Sequence, residues 1–229
     1  PWASQYSREA ESIGADGLMV IPPYYYTPTD DEIFNYYRAI SEAVSIPIML
    51  YNNPFTSNID MSVKLIARLT RAFDNVRYIK EASMDVGRVF EIAEQTEGVM
   101  NVFAGERPVE CFRLGAVGYV NPFGNYIPYA TTRMCEYLES GQEDRAREIQ
   151  RRVHEINDII AEGHPSYGHQ CYSKALAAAV GYPMGDVRPP LTKFDALGAE
   201  GRRRCDRILE LMRGLDAYMD SIEAIAKSG

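Results

Sequence analysis

Five short apolar runs recur along the first half of the chain, and amphipathic segments separate them. The runs are Gly17–Ile21, Ile46–Tyr51, Val76–Lys80, Met100–Ala104 and Gly118–Asn121. Their centres lie roughly 18 to 30 residues apart, the spacing typical of strands that alternate with helices. The runs are apolar throughout instead of alternating with polar residues. This pattern predicts strands of a parallel sheet that is covered on both faces.

The segments between and after these runs have helical patterns. Thr29 and Glu32 have the spacing of a capping box, and an apolar stripe at helical spacing follows them. We expect Asp60 to cap the next helix and another helix to start near Asp85. After the fifth run the strand patterns stop, and helices are predicted at 142–161 and from about 200 to 226.

Strand–helix units followed by helices suit either part of a (β/α)8 barrel or an open parallel sheet. The chain opens with a helical pattern at Trp2–Ile13, without a strand before it. A closed barrel of this type needs eight strands, more than the apolar runs supply. We therefore expect a chain that lacks the first strands of such a barrel. Residues 1–140 would form the βα units and residues 141–229 the C-terminal helices packed on them.

Composition narrows the class of protein. The chain has 229 residues, 46% of them hydrophobic, and a formal net charge of −8, which argues against a nucleic-acid-binding surface. The sequence contains neither a membrane-length apolar stretch nor a basic, apolar leader. The cysteines are far apart and lack C-x-x-C spacing, which favours reduced thiols over a disulfide framework or a zinc site. We predict a soluble cytoplasmic protein that binds neither membranes nor nucleic acid.

Lys80 and Tyr51 are the residues that point to chemistry. Each ends an apolar run, and neighbouring parallel strands would bring both side chains to the same rim of the sheet. An amine beside a phenol in a partly dry site suits Schiff-base chemistry on a carbonyl substrate. The alternatives are a lysine that reaches solvent or pairs with Glu81, and a rim tyrosine with a satisfied hydroxyl.

The motifs around these residues resemble a known superfamily. Tyr51-Asn52-Asn53-Pro54 and Ile79-Lys80-Glu81-Ala82-Ser83 are similar to signatures of the dihydrodipicolinate synthase and N-acetylneuraminate lyase superfamily. Gly14–Gly17, followed by Pro22–Tyr26, is similar to its fourth strand and the loop after it. The resemblance extends over essentially the whole chain. It implies a (β/α)8 TIM barrel with extra C-terminal helices, and the activity of a class I aldolase or dehydratase.

The resemblance also implies roles for individual residues. Lys80 matches the Schiff-base lysine, Tyr51 the acid/base tyrosine, and Tyr25 a tyrosine supplied to the proton relay across a subunit interface. Substrate-contacting positions by resemblance are Thr56, Ser83, Glu106, Val120 and Asn121. The expected site needs no metal and no organic cofactor, because the iminium itself is the electron sink. The spacing of His164 and His169 around Tyr167 does not fit a metal pair on a helix, so we expect exposed loop residues there.

Three departures from the superfamily pattern narrow the expected activity. The loop with paired threonines that holds the substrate carboxylate has no match in this chain. Thr56 stands where dihydrodipicolinate synthases have an arginine, and a carboxylate-binding fork is lost with it. Met84 stands where glycine is usual and would narrow the space beside Lys80.

These features lead to one expected function and one alternative. We expect a lyase acting on a 2-oxo acid, either a pyruvate-type aldolase or a 2-keto-3-deoxy sugar acid dehydratase, and not a true dihydrodipicolinate synthase. The alternative is a catalytically silent barrel that binds 2-oxo acids or serves in assembly. By the same resemblance we expect a homo-oligomer, a dimer or tetramer, formed through Tyr24–Tyr26.

Overall fold

The computed structural model describes residues 2–162 and 168–228, so His164 and Tyr167 lie outside the described residues. The chain divides into two compact units, Pro1–Val120 and Asn121–Gly229. This division by contacts comes earlier than residue 140, where the sequence patterns placed the change from βα units to helices. The packing of the C-terminal helices on a barrel stays a prediction.

A parallel sheet of five strands organises the first unit, and each strand pairs with the next along the chain. The strands are β1 (Leu18–Val20), β2 (Ile48–Asn52), β3 (Val76–Glu81), β4 (Asn101–Ala104) and β5 (Gly118–Tyr119). Every predicted apolar run coincides with one of them, and β2 and β3 each extend one residue beyond their run, so the strand predictions are confirmed.

Helices alternate with the strands in the first unit, and the first helix precedes β1. They are α1 (Trp2–Ser12), α2 (Asp30–Ser41), α3 (Pro54–Ser57), α4 (Val63–Ala72), α5 (Gly87–Gln95) and α6 (Pro108–Arg113). The predicted capping box begins α2: Glu32 Oε2 accepts from the Thr29 N–H at 2.7 Å, and Thr29 Oγ1 accepts from the Glu32 N–H at 3.4 Å. These bonds satisfy N–H groups that the first turn of a helix leaves without partners.

The cap predicted for α4 was wrong. Ser62, not Asp60, caps this helix, because its hydroxyl accepts from the Leu65 N–H at 3.1 Å. Asp60 lies two residues earlier and its carboxylate contacts Asn52 and Arg88 instead. Spacing alone could not choose between two good capping residues so close together.

The two faces of the sheet differ in burial. On one face, helices α2, α4 and α5 cover strand residues such as Ile48, Ile79 and Val102, each at most 1% exposed. Burying each such side chain contributes about 1.5–3 kcal/mol. The other face borders an open hollow of about 400 Å³, and Met19 on it is 52% exposed. The prediction that both faces of the sheet are covered was therefore wrong for the described residues. In β2, fully buried residues alternate with half-buried ones, as expected for a strand covered on one face.

The second unit is helical. Its helices are α7 (Pro128–Glu139), α8 (Glu143–Ala161), α9 (Gly168–Ala179) and α10 (Gly198–Ser228), with short 3-10 turns at Phe123–Asn125 and Phe194–Leu197. Helix α8 packs between α7 and α10 through a buried stripe that includes Ile149, Val153 and Ile156. The helices predicted over 142–161 and 200–226 are thus confirmed. The structure shows no helix, within its described residues, with the length and apolarity to cross a membrane. All four cysteines are free thiols.

Candidate active site

The register of β2 and β3 sets the positions of the predicted site residues. Tyr51 lies opposite Lys80, and Asn52 lies opposite Glu81. Successive residues of a strand point to opposite faces of the sheet. Tyr51 and Lys80 therefore share the open face, whereas Asn52 and Glu81 share the helix-covered face and are buried. One pair of neighbouring strands thus presents two polar pairs at its carboxyl end, one on each face.

Lys80 and Tyr51 are in direct contact. The Lys80 Nζ lies 4.1 Å from the centroid of the Tyr51 ring, and both side chains are half-buried. The Asn53 amide donates to the Tyr51 hydroxyl at 2.8 Å and so fixes the orientation of the phenol. The structure brings together the amine and the phenol that Schiff-base chemistry requires.

Glu81 does not pair with Lys80, an alternative that the sequence left open. Its carboxylate accepts from the Ser83 N–H at 2.8 Å, from the Asn52 amide at 3.1 and 3.2 Å, and from Arg88 Nε at 3.3 Å. The side chain of Glu81 is only 3% exposed. A buried carboxylate is tolerated because these donors replace the water that it lost.

Asn52 and Arg88 extend this network to the loop after β2. The Asn52 amide also donates to Asp60 Oδ1 at 2.9 Å, and its carbonyl oxygen accepts from the Met61 N–H at 3.0 Å. Arg88 Nη2 donates to the Met61 carbonyl at 2.6 Å and lies 3.3 Å from Asp60 Oδ1. Sequence reasoning missed this network, although Asn52 and Glu81 stand inside the two signature motifs. Polar residues on the covered face of a strand end were the signal that could have found them.

Glu106 follows β4 and lies near Lys80. Burial raises the pKa of the Glu106 carboxyl, and the nearby charges of Lys80 and Arg107 oppose that rise. The same carboxylate borders a small pocket that also includes Met84 and Cys111. Burial, together with the charges of Glu110, Glu81 and Glu106, raises the pKa of the Cys111 thiol to about 12. This thiol is therefore a poor nucleophile at neutral pH.

The raised pKa of Glu106 predicts a pH-dependent effect of its replacement. A carboxyl whose pKa is higher in the folded than in the unfolded state destabilises the fold once the pH exceeds the unfolded value. Glu106→Gln should therefore raise the free energy of unfolding at about pH 7 and leave it unchanged at about pH 4. Urea unfolding of both proteins at the two pH values measures this. The same difference at both pH values would show that ionisation is not the cause.

Met84 stands where the resemblance led us to expect glycine, and its backbone gives a physical reason for that expectation. Its backbone has φ 70°, the left-handed region that strains a residue with a side chain. The side chain is 50% exposed and borders the pocket beside Glu106. Gly105, just before Glu106, also needs to be glycine, because a Cβ there would lie 2.5 Å from the Ala82 Cβ and 2.9 Å from the Glu81 carbonyl oxygen.

Met84→Gly should stabilise the protein. Relief of the left-handed strain is worth on the order of 1–3 kcal/mol, and the added freedom of the unfolded chain offsets about 0.5–1 kcal/mol. We expect a net rise of about 1 kcal/mol in the free energy of unfolding. Met84→Ala is the matched control, since it removes the side chain but keeps the strain, and it should bring no gain. Equal stabilisation by both changes would contradict strain as the cause.

Other predicted substrate contacts in the first unit lie at strand ends or in the loops after them. Thr56 is exposed in α3, and its hydroxyl donates to the Asn53 carbonyl at 3.3 Å. The Ser83 hydroxyl accepts from the Asp85 N–H at 3.4 Å. The Val120 N–H donates to the Ala104 carbonyl at 3.0 Å and is therefore committed to the sheet.

The remaining predicted residues are not brought to Lys80 by any contact among the described residues. Tyr25 is 84% exposed, and its ring packs edge-on against Tyr26 at 4.9 Å. Asn121 begins the second unit, where its Oδ1 accepts from the Gly124 N–H at 3.2 Å. Their roles stay predictions.

His169 was wrongly predicted as an exposed loop residue. It lies in α9, its Nδ1 is buried, and burial lowers the pKa of its imidazole. Across residues 2–162 and 168–228, histidine, cysteine and carboxylate side chains nowhere form a group of three that could hold a metal ion.

Comparison with known proteins places the chain in a family. The dihydrodipicolinate synthetase family matches residues 2–210. The 4-hydroxy-tetrahydrodipicolinate synthase 1 of Halalkalibacterium halodurans is 31% identical over 195 residues, which cover 84% of this chain and 64% of that protein. The chain thus spans somewhat less than two thirds of the length of this relative.

Solved structures agree with this assignment. The 4-hydroxy-tetrahydrodipicolinate synthase of Methylacidiphilum fumariolicum superposes with a TM-score of 0.86 at 25% identity, over 95% of this chain and 71% of that one. A dihydrodipicolinate synthase from Acinetobacter baumannii gives a TM-score of 0.80 at 26% identity, over 91% and 70% of the two chains. The predicted (β/α)8 fold class is confirmed. By its sequence and its fold, the chain belongs to the dihydrodipicolinate synthetase family.

Proposed function

We propose that this protein is a Schiff-base-forming lyase that acts on a 2-oxo acid. The contact between the Lys80 amine and the Tyr51 ring is the observation that supports it most. An ion pair with Glu81 does not explain Lys80, because the Glu81 carboxylate is bound by Arg88 on the other face of the sheet. Family membership supports the same chemistry.

Lys80 and Tyr51 divide the proposed chemistry between them. The neutral Lys80 amine attacks the ketone carbon, and the carbonyl oxygen takes up a proton to give a carbinolamine. Tyr51 supplies the proton with which that hydroxyl leaves as water, and the C=N bond of the iminium forms. When a neighbouring C–C bond breaks, the iminium accepts its electron pair and becomes an enamine, while the hydroxyl of the departing fragment loses a proton and becomes a carbonyl. When a C–O bond breaks instead, the carbon next to the iminium first loses a proton to give the enamine, which then expels the protonated hydroxyl as water and becomes an iminium again. Protonation of the enamine in the first case, and addition of water to the iminium in both, return the amine and release the product.

Pyruvate is the keto acid best supported as the common part of the substrate or product. The similar Acinetobacter baumannii enzyme was solved in complex with pyruvate. Thr56 supports a second substrate that differs from the one used by a true dihydrodipicolinate synthase. Its short neutral hydroxyl cannot form the two parallel bonds that an arginine fork makes to a carboxylate. An aldolase or a dehydratase of hydroxylated keto acids fits this site better.

The proposal includes the cellular compartment and the oligomeric state of the enzyme. Free cysteine thiols suit a reducing compartment, which supports the cytoplasm. The aromatic loop formed by Tyr24, Tyr25 and Tyr26 is 65%, 84% and 77% exposed. Exposed aromatic clusters favour protein contacts, which supports a homo-oligomer formed through this loop.

Borohydride trapping tests the proposed function directly. Full-length protein is incubated with pyruvate, reduced with borohydride, digested and analysed by mass spectrometry. The expected result is one reduced pyruvyl group on the peptide that contains Lys80. Protein without this adduct, or with the adduct spread over exposed lysines such as Lys64, would reject the proposal.

A further inference from the structure

We propose that Glu81 is a positioning residue for imine formation, which it serves by holding the ends of β2 and β3 together through Asn52 and Arg88. The inference rests on the proposed function, because it concerns the step in which Lys80 attacks the keto acid. Glu81 touches neither the amine nor the phenol. It acts through the backbone that carries them.

The first argument is geometric. The backbone ladder between the two strands ends where the Ala82 N–H donates to the Asn52 carbonyl at 2.9 Å. At this last rung the Asn52 amide reaches the Glu81 carboxylate at 3.1 and 3.2 Å, so a side-chain pair reinforces the end of the ladder. Tyr51 and Lys80 are the residues immediately before this pair in the two strands. A shift of one strand end against the other would therefore change the contact between amine and phenol.

The second argument concerns the loops on both sides of the site. Through the Ser83 N–H, Glu81 holds the turn that leads to the left-handed Met84. Through Arg88, which bonds the Met61 carbonyl, it also holds the loop that follows β2. One carboxylate thus connects the segment after the lysine with the segment after the tyrosine. Loops joined in this way lose the freedom to move independently of each other.

The third argument is energetic. The side chains of Arg88 and Glu81 are 12% and 3% exposed, so both charges lost most of their water. Apolar side chains of similar volume often replace such buried pairs at no cost in stability, or even with a gain. Packing alone therefore does not require a buried ion network here. Fixing one arrangement of the two strand ends is a reason for these residues that packing does not supply.

The test compares rates of imine formation among folded variants. Glu81→Gln keeps the shape of the side chain but loses its charge, and Arg88→Lys keeps the charge but loses the fork. For both variants we expect the trapping rate constant at saturating pyruvate to fall by about tenfold to a hundredfold, the effect of misplacing a reacting group by about an ångström. The pyruvate concentration that gives half the maximal rate should change by less than about threefold, since substrate contacts are intact.

A double variant separates positioning from stability. Glu81→Leu combined with Arg88→Met removes both charges together and leaves the Ser83 N–H and the Met61 carbonyl without these partners, so it should be less stable than Glu81→Gln. Assayed under conditions in which circular dichroism shows it to be folded, it should nevertheless trap pyruvate only as slowly as Glu81→Gln, because the rate follows the position of the two strand ends and not the stability. Asp31→Asn is the matched control. It breaks an exposed ion pair between Asp31 and Arg68, in which the two side chains are 78% and 47% exposed, respectively. This change should leave the rate unchanged.

The outcomes distinguish the two proposals. Equally slow trapping in the folded double variant and in Glu81→Gln supports positioning, and rescue toward the wild-type rate in Glu81→Asp would strengthen it. If the wild-type protein forms the Lys80 adduct and the folded variants form it equally fast, the inference fails while the proposed function stands. A wild-type protein that forms no adduct overturns the proposed function, and the inference with it.

Discussion

Lys80→Ala should lower turnover of the 2-oxo acid substrate by on the order of 10⁴-fold or more and abolish the borohydride adduct with pyruvate. The reason is that the imine nitrogen comes from this residue and the iminium is the only electron sink in the proposed mechanism. Alanine removes the nucleophile without adding bulk. Since Lys80 is half-buried and its amine contacts the Tyr51 ring, the loss of packing should cost about 1 kcal/mol of stability or less. Steady-state turnover and borohydride trapping, both with full-length protein, measure these two effects.

Lys64→Ala is the matched control for this change. Lys64 is an exposed lysine of α4, so its loss should leave turnover and adduct formation unchanged. A catalytically silent barrel would give different results for Lys80→Ala. Pyruvate would still bind to Lys80→Ala with wild-type affinity, and neither protein would turn over any keto acid. That pair of results would establish the binding-module alternative and reject the lyase.

Much of the fold could be predicted because buried strands are short runs of apolar residues, which can be found in the sequence alone. Each apolar run became a strand of one parallel sheet, and the Thr29–Glu32 box began its helix as expected. Whether the sheet is covered on one face or on both could not be predicted in this way. Residues on the inner face of such a sheet are apolar whether or not other parts of the protein cover them, so the sequence of β2 does not distinguish its buried face from its open one.

The candidate site divides along similar lines. Lys80 and Tyr51 could be found because each sits in a short motif, and strand pairing then puts them side by side. The contact between Asp60 and Arg88 could not, since it joins the loop after β2 to the first turn of α5, 28 residues further along the chain, and only the folded backbone brings them together. The left-handed conformation of Met84 had a signal, the glycine that the resemblance implies at its position, but the sequence suggested a narrower pocket instead of strain.

The hydroxyl of Tyr51 should be worth about 10²–10³-fold in the rate of imine formation. Tyr51→Phe keeps the aromatic ring 4.1 Å from the Lys80 amine but removes the only group of the pair that can deliver a proton to the departing oxygen. General acid–base catalysis of this kind contributes about 10²–10⁴-fold, and water can replace part of it. The adduct on Lys80 should therefore still form, slowly, with little change in the pyruvate concentration needed for half the maximal rate. Single-turnover trapping at saturating pyruvate measures the effect.

Two further variants decide whether the proton or the packing matters. Asn53→Ala removes the amide that donates to the Tyr51 hydroxyl at 2.8 Å, and it should slow trapping by about tenfold because the phenol is present but no longer held. Tyr78→Phe is the matched control, since Tyr78 lies on the same face of β3, two residues before Lys80, and packs against Phe103. It should react at the wild-type rate. If Tyr51→Phe and Tyr78→Phe slow trapping equally, the phenol of Tyr51 has no special part in proton transfer, and another group must protonate the carbinolamine.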